Sequence, residues 1–352
     1  MSLIQEWQAF VAEQDGLPHL QSIYFGGGTP SLMPTHLLEK IIQTLKASVA
    51  ADVEITLEAN PENLVADAGK SYLAALKSMG FNRLSIGAQS FSEKQLQFLG
   101  RNHQGKEIRR AVDHARHAAF SNISLDVIGF LPDEPLDEAQ SNLQEMIKCD
   151  VEHLSFYGLT IEEKTLFYQQ KKQGMLTLPS DEVSTEQYEM MVHALADAGY
   201  EQYEISNFSR PGFRSRHNQC YWTYRPYLGL GAGAHSFFRM QGRQLRTTNI
   251  ASPEKYVEII SKSGEAVAEE EVLEGRSAMA EFVFTGLRRR EGILAEDFFL
   301  AFNQGLLTVY SQEISKFLDC ELLQWTEGEG GRRLHLTSKG ILLSDTVFAE
   351  FT

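Results

Sequence analysis

Five short apolar runs, each ending in residues unusual for a strand, constrain this chain more than anything else in it. They are LQSIYFGGG (20–28), VEITLEANP (53–61), RLSIGAQSF (83–91), ISLDVIGFLP (123–132) and EHLSFYGLT (152–160). Amphipathic helical segments lie between them. HLLEKIIQTL (36–45) sets Leu37, Leu38, Ile41, Ile42 and Leu45 on one face, with Thr35 as N-cap. KEIRRAVDHARHAAF (106–120) does the same with Ile108, Ala111, Val112, Ala115 and Ala119. Strands alternating with helices make parallel βαβ units, hence a barrel or a doubly wound sheet. No Gly-x-Gly-x-x-Gly turn opens a helix, which weakens a dinucleotide-binding reading. Glycine and polar residues gather at the ends of several different strands, and in a barrel those ends surround the site. The expected fold class is α/β, a parallel barrel rather than a doubly wound sheet.

A length of 352 residues suggests two domains, or one with an appendage. The expected division is a partial barrel over 1–180, a barrel extension over 181–264 and a small module over 265–352. The segment 200–250 is rich in aromatics, glycine and arginine and is expected to pack against the barrel. The last module reads as about three helices, two short strands around a Gly-rich turn (327–331) and a final helix, a winged-helix-like pattern. Its EDFFLAFNQGL segment is acidic and apolar, and the net charge is −15, so nucleic acid is not an expected partner. No apolar run approaches a membrane span and no signal-peptide pattern opens the chain, so a cytoplasmic protein is expected. Cys149, Cys220 and Cys320 are too far apart to make a disulfide framework or a Cys-based metal site visible.

The strand ends gain weight together. Gly26, Gly27 and Gly28 alone read as a tight turn. Glu58 closes an apolar strand, Gln89 closes the third, and Asp126 interrupts the fourth between Leu125 and Val127. A carboxylate in such a place is costly unless paired. Four such features on successive strands would converge at one barrel mouth, offering backbone donors, two carboxylates and an amide to a small polar ligand.

The motifs GGGTPS, LEANPEN, GFNRLSIGAQSF, LGRNHQGKEIRRAV and SLDVIGFLP resemble the radical S-adenosylmethionine (SAM) proteins related to oxygen-independent coproporphyrinogen III oxidase. The resemblance runs from about residue 20 to the C-terminus. Within that family, RHNQCYWTYRPYLGLGAGAHSF (216–237) is most similar to heme chaperones of the HemW type, through His217, Asn218, Tyr221 and Trp222. The resemblance implies that the glycine run, with Thr29, lets the backbone meet the methionine end of SAM. It also implies that Glu58, Gln89, Arg101 and Asp126 complete the SAM site. A guanidinium such as Arg101 suits the SAM carboxylate. Glu58 and Gln89 suit ribose hydroxyls or the amino group, and Asp126 a hydroxyl.

One family feature is missing. Radical SAM proteins carry a Cys-x-x-x-Cys-x-x-Cys loop after their first strand, whose three thiolates hold a [4Fe–4S] cluster. No cysteine precedes the glycine run here, and five of the family's six barrel strands are visible, so the resemblance implies an incomplete, partial TIM-type parallel barrel lacking its first strand. The expectation is a chain that begins downstream of the cluster loop, because the other SAM-facing residues remain. Three functions stay open. A heme chaperone would bind heme and SAM and pass heme to acceptor proteins. Its heme face would include His217, Tyr221 and Trp222, for which a buried aromatic corner is the alternative. A coproporphyrinogen III oxidase would decarboxylate propionates of a porphyrin precursor. A cluster-less barrel would hold SAM or heme only as a ligand. A homodimer is also left open, and His114 and His117 are expected to be solvated helix positions.

Overall fold

The alternating runs become a seven-stranded sheet in the computed structural model, which describes residues 1–240, 243–328 and 330–352. Its strands are β1 (Leu20–Phe25), β2 (Val49–Ala59), β3 (Arg83–Gln89), β4 (Ile123–Gly129), β5 (His153–Gly158), β6 (Glu201–Gln202) and β7 (Asn207–Ser209). Their order is β1-β2-β3-β4-β5-β7-β6. β2 to β5 are parallel, with Glu58 beside Ser85, Ser85 beside Ser124 and Ser124 beside His153. β7 and β6 add an antiparallel end that the apolar runs did not announce. Both are three residues or shorter, too brief to show a period.

Each central strand alternates. Ile55, Leu57, Leu84, Ile86, Ile123, Leu125 and Leu154 are buried on one face. Thr56, Arg83, Ser85, Ser124, His153 and Ser155 are buried on the other. Successive residues of a strand point to opposite sides, so this second face is a polar inner wall. Helices supply apolar cover, as Gly105–His117 does with Ile108, Ala111, Val112 and Ala115. Ala119 does not join them: it is exposed and left-handed (φ 64°) just beyond the helix end. Thr35 is likewise the first helical residue rather than the cap, since the Pro34 carbonyl accepts from Leu37 and Leu38.

The chain divides into two compact units, one of residues 22–39 and 52–215, the other of residues 1–21, 40–51 and 216–352. The first holds the sheet just described apart from the opening residues of β1 and β2. In the second, β8 (His235–Met240), β9 (Arg243–Asn249) and β10 (Val267–Leu273) form an antiparallel sheet. The N-terminal helix Ser2–Ala12 is tied into this unit by Glu6. Its buried carboxylate accepts from Tyr256 Oη (2.6 Å), Asn249 Nδ2 (2.6 Å) and the Gly231 amide (2.9 Å). A third sheet has β13 (Gly331–Leu336) between β11 (Ile293–Leu294) and β12 (Leu323–Gly328), all antiparallel. Helices around it bury Phe298, Tyr310, Ile314, Phe317, Val347 and Phe351. The hairpin expected near 327–331 is present, although Glu329 in its turn lies outside the described residues.

Candidate functional site

The inner wall of the first unit is driest at depth and opens at the C-terminal ends of its strands. Thr56, Arg83, Ser124 and His153 are each no more than 2 % exposed, whereas Glu58, Gln89 and Asp126 are half-buried. The sheet therefore brings these three sequence-predicted residues to one mouth.

Glu58 and the glycine run form one piece of it. Tyr24 donates its hydroxyl to Glu58 Oε1 (2.7 Å), and the Gly27 amide donates to Glu58 Oε2 (3.3 Å). A β-carbon at Gly26 would lie 2.6 Å from the Tyr24 ring and 2.8 Å from Glu58 Oε1, so the Tyr24–Glu58 pair needs glycine there. Gly27 is left-handed (φ 84°), which glycine adopts without strain. Gly27 and Gly28 are exposed, and nothing lies within 4 Å of where their β-carbons would be. Burial raises the Glu58 pKa, with Asp126 adding to the shift and the hydrogen bonds from Tyr24 and Gly27 opposing it.

Asp126 heads a chain of hydrogen bonds running into the wall. Ser85 donates to Asp126 Oδ2 (2.8 Å) and Ser124 to Oδ1 (3.2 Å). Ser124 also meets His153 Nδ1 (2.8 Å), and His153 Nε2 meets the Tyr203 hydroxyl (2.8 Å). Burial, helped by the Arg83 charge, holds His153 well below the usual histidine range, so it is neutral. Gln89 stands in a left-handed conformation (φ 63°) where the β3–β4 register shifts. Its amide nitrogen folds back to 2.8 Å from where a Gly87 β-carbon would sit. A non-glycine residue held there is strain of the kind that gathers at functional sites. Buried His103 steadies this end of β3, with Nε2 3.0 Å from the Ala88 carbonyl and Nδ1 3.3 Å from Glu62.

Arg101 follows the left-handed Gly100 and is exposed. Among the described residues no side-chain contact joins it to Glu58 or Asp126. Sequence reasoning did not single out Tyr24, Ser85, Ser124, His103, His153 or Tyr203. A signal for Ser85, Ser124 and His153 existed: polar residues recur at every second position of β3 to β5.

In the other unit, His217, Tyr221 and Trp222 share the short helix Arg216–Trp222. The Tyr221 hydroxyl meets His217 Nε2 at 2.9 Å, and the rings meet edge to face at 5.0 Å. Tyr221 also packs edge-on to Tyr227 at 4.7 Å, and burial pushes its hydroxyl up to about 12. The Arg288 guanidinium lies 4.5 Å from the Trp222 ring centre. His114 is not a solvated position, since its Nδ1 meets the Leu64 carbonyl at 2.9 Å.

The residues fit SAM better than they fit a cluster. An open glycine backbone and half-buried carboxylates at one mouth suit a polar ligand. Cys149, Cys220 and Cys320 stand on separate elements, and no group of metal-holding side chains occurs among the described residues. These residues offer no three-thiolate loop. No helix is long and apolar enough to cross a membrane among the described residues.

Comparison with known proteins bears on the family and the fold. The model of the radical SAM superfamily matches residues 6–146, and that of the HemN C-terminal domain matches 273–343. The chain is 33 % identical over 352 residues to the heme chaperone HemW of Lactococcus lactis, covering 99 % of this chain and 88 % of that protein. It is 32 % identical over 339 residues to HemW of Bacillus subtilis, covering 96 % and 86 %. Coproporphyrinogen III oxidase (HemN) from Escherichia coli, described as a radical SAM enzyme, superimposes with a TM-score of 0.79 at 20 % identity, over 99 % of this chain and 81 % of that one. That likeness speaks for the fold. From motifs, fold and similarity together, the chain belongs to the HemW-type radical SAM proteins of the coproporphyrinogen III oxidase-like family.

Proposed function

We propose that this protein is a HemW-like heme chaperone, binding heme and SAM and passing heme to acceptor proteins. The observation that carries the reading is similarity spanning 99 % of the chain to a protein named as a heme chaperone. The SAM half is supported by the mouth of the inner wall. Gly26 to Gly28, with Thr29, would take the methionine end, Gly27 and Gly28 offering it open backbone. Glu58, held by Tyr24, and Gln89 would accept from and donate to amino or ribose groups. Asp126, with both oxygens steadied by serines, would accept from a hydroxyl, and Arg101 would close on the carboxylate. SAM bound here supplies an adenosyl and a methionyl group to recognise, and these residues hold and orient it.

For heme, the aromatic helix Arg216–Trp222 is the surface we assign. Trp222 offers a stacking face, and His217 with Tyr221 buttresses it. The test is a pair of titrations on this chain, heme by absorption and SAM by calorimetry, beside an assay of porphyrinogen decarboxylation. The reading expects saturable heme and SAM binding with no decarboxylation. Decarboxylation would make the protein an oxidase instead. Heme that does not bind would end the chaperone reading.

The separation of the three cysteines favours one narrower statement. This polypeptide is expected to bind both ligands as a cluster-less module.

A further inference from the structure

The second unit contains a cavity of about 470 Å³ whose wall runs from Trp222 through Tyr224, Phe282 and Leu294 to Leu300. Four arginines, Arg225, Arg239, Arg289 and Arg333, line it against a single acid, Asp297. In a chain of net charge −15 this is a local inversion of sign. Arg289 is partly neutralised by Glu291 at 2.7 Å, and Arg225 donates to the neutral Gln21. Arg239 lies 5.7 Å from the Tyr224 ring centre, and no ion pair holds Arg239 or Arg333 among the described residues. Trp222 adds a buried indole N–H that has no acceptor among the described residues.

Guanidinium groups that outnumber the carboxylates near them, set beside flat aromatic and aliphatic walls, favour an anion between them. Their forked donors match carboxylates in two-point contacts. We infer that this cavity is the seat of a flat apolar dianion, and that its arginines hold the two carboxylates of a porphyrin while Trp222 and its neighbours cover the ring. The inference rests on the heme reading above and deepens it, moving the weight of recognition from iron ligation to the propionates. His217 and Tyr221 do not line the cavity, so the carboxylate contacts do not depend on them.

The experiment compares heme with its dimethyl ester on the wild-type chain and on Arg239→Gln, Arg333→Gln and the double variant. Melting curves accompany each titration, and Arg333→Lys serves as a charge-keeping control. Heme should bind the double variant about ten- to hundredfold more weakly than wild type, the range for losing charge-assisted hydrogen bonds. The ester should bind wild type as weakly as heme binds the double variant, and should be indifferent to the substitutions. Arg333→Lys should recover part of the loss. Heme binding that is unchanged by substitution and by esterification would overturn this inference and leave the chaperone reading standing. Failure of the wild-type chain to bind heme at all would overturn the chaperone reading and the inference with it. A double variant that melts early but keeps the distinction between heme and ester would also overturn it, because its arginines would then be structural.

Discussion

At the scale of single residues, the clearest consequence concerns Glu134, just past β4. It is buried, its Oε1 has no partner among the described residues, and its backbone carbonyl accepts from Gln187. Burial, with Glu138 nearby, raises its pKa from 4.5 to about 7. Between those values the folded protein keeps a proton that the unfolded chain has lost, so stability falls as pH rises through the window. At one pKa unit per about 1.4 kcal/mol the penalty is on the order of 3 kcal/mol at most. Glu134→Gln removes the titration. Its melting temperature should match wild type near pH 5 and exceed it increasingly toward pH 8, and a constant gap would refute the account. His217 makes a second case. Its Nε2 is already engaged by Tyr221, and it does not line the arginine cavity. His217→Ala should therefore cost about 0.5–1.5 kcal/mol of stability while leaving the Soret band of bound heme in place. A displaced band would make this nitrogen an iron ligand.

At the scale of elements, the parallel strands hold a tight contact where β4 meets β5. A β-carbon on Gly129 would lie 1.9 Å from the Phe156 ring, and Gly129 pairs with Gly158 across the register. Phe156 also packs edge-on to Phe130, which is itself left-handed (φ 57°). Gly129→Ala should cost about 1–3 kcal/mol, as inserted methyl groups do in packed interiors. Because Asp126 sits three residues upstream on the same strand, SAM affinity should fall alongside, whereas Gly28→Ala, facing open space, should leave stability nearly unchanged. Urea melts of the two variants provide the check. The same strands explain what could be read in advance. Long apolar runs with odd endings announced β1 to β5, and Glu58, Gln89 and Asp126 stood out because each broke a run. The wall beneath them did not stand out, because Thr56, Ser85 and Ser124 are polar residues that equally suit solvent. Their burial follows only from the register that places them side by side. Tyr24 pairs with Glu58 across 34 positions of chain, a contact that no local period encodes. The strands β6 and β7 are too short to leave a pattern, and the arginine cavity draws on residues from 222 to 333.

At the scale of the whole molecule, the decisive question is which chemistry this polypeptide can support by itself. A [4Fe–4S] cluster needs thiolates within one loop's reach. Cys149 ends the helix Leu136–Lys148, Cys220 lies within Arg216–Trp222, and Cys320 ends Ser311–Asp319. Burial also pushes the Cys149 thiol up to about 11, which opposes the thiolate a metal would need. The wall that would receive SAM, by contrast, is built from residues that need no cluster to take their places. Binding and cleavage of SAM should therefore come apart in this chain. Anaerobic reconstitution with iron and sulfide should leave it without a stoichiometric cluster, and incubation with SAM and a reductant should yield no 5′-deoxyadenosine. Calorimetry should still detect SAM, with an affinity that drops about tenfold or more in Glu58→Ala, where Tyr24 and Gly27 lose their shared acceptor. Stoichiometric iron and sulfide on the reconstituted chain would show that ligands are recruited in a way these elements do not suggest. Loss of SAM binding without loss of fold would instead mean that the mouth of the wall requires the cluster to be complete.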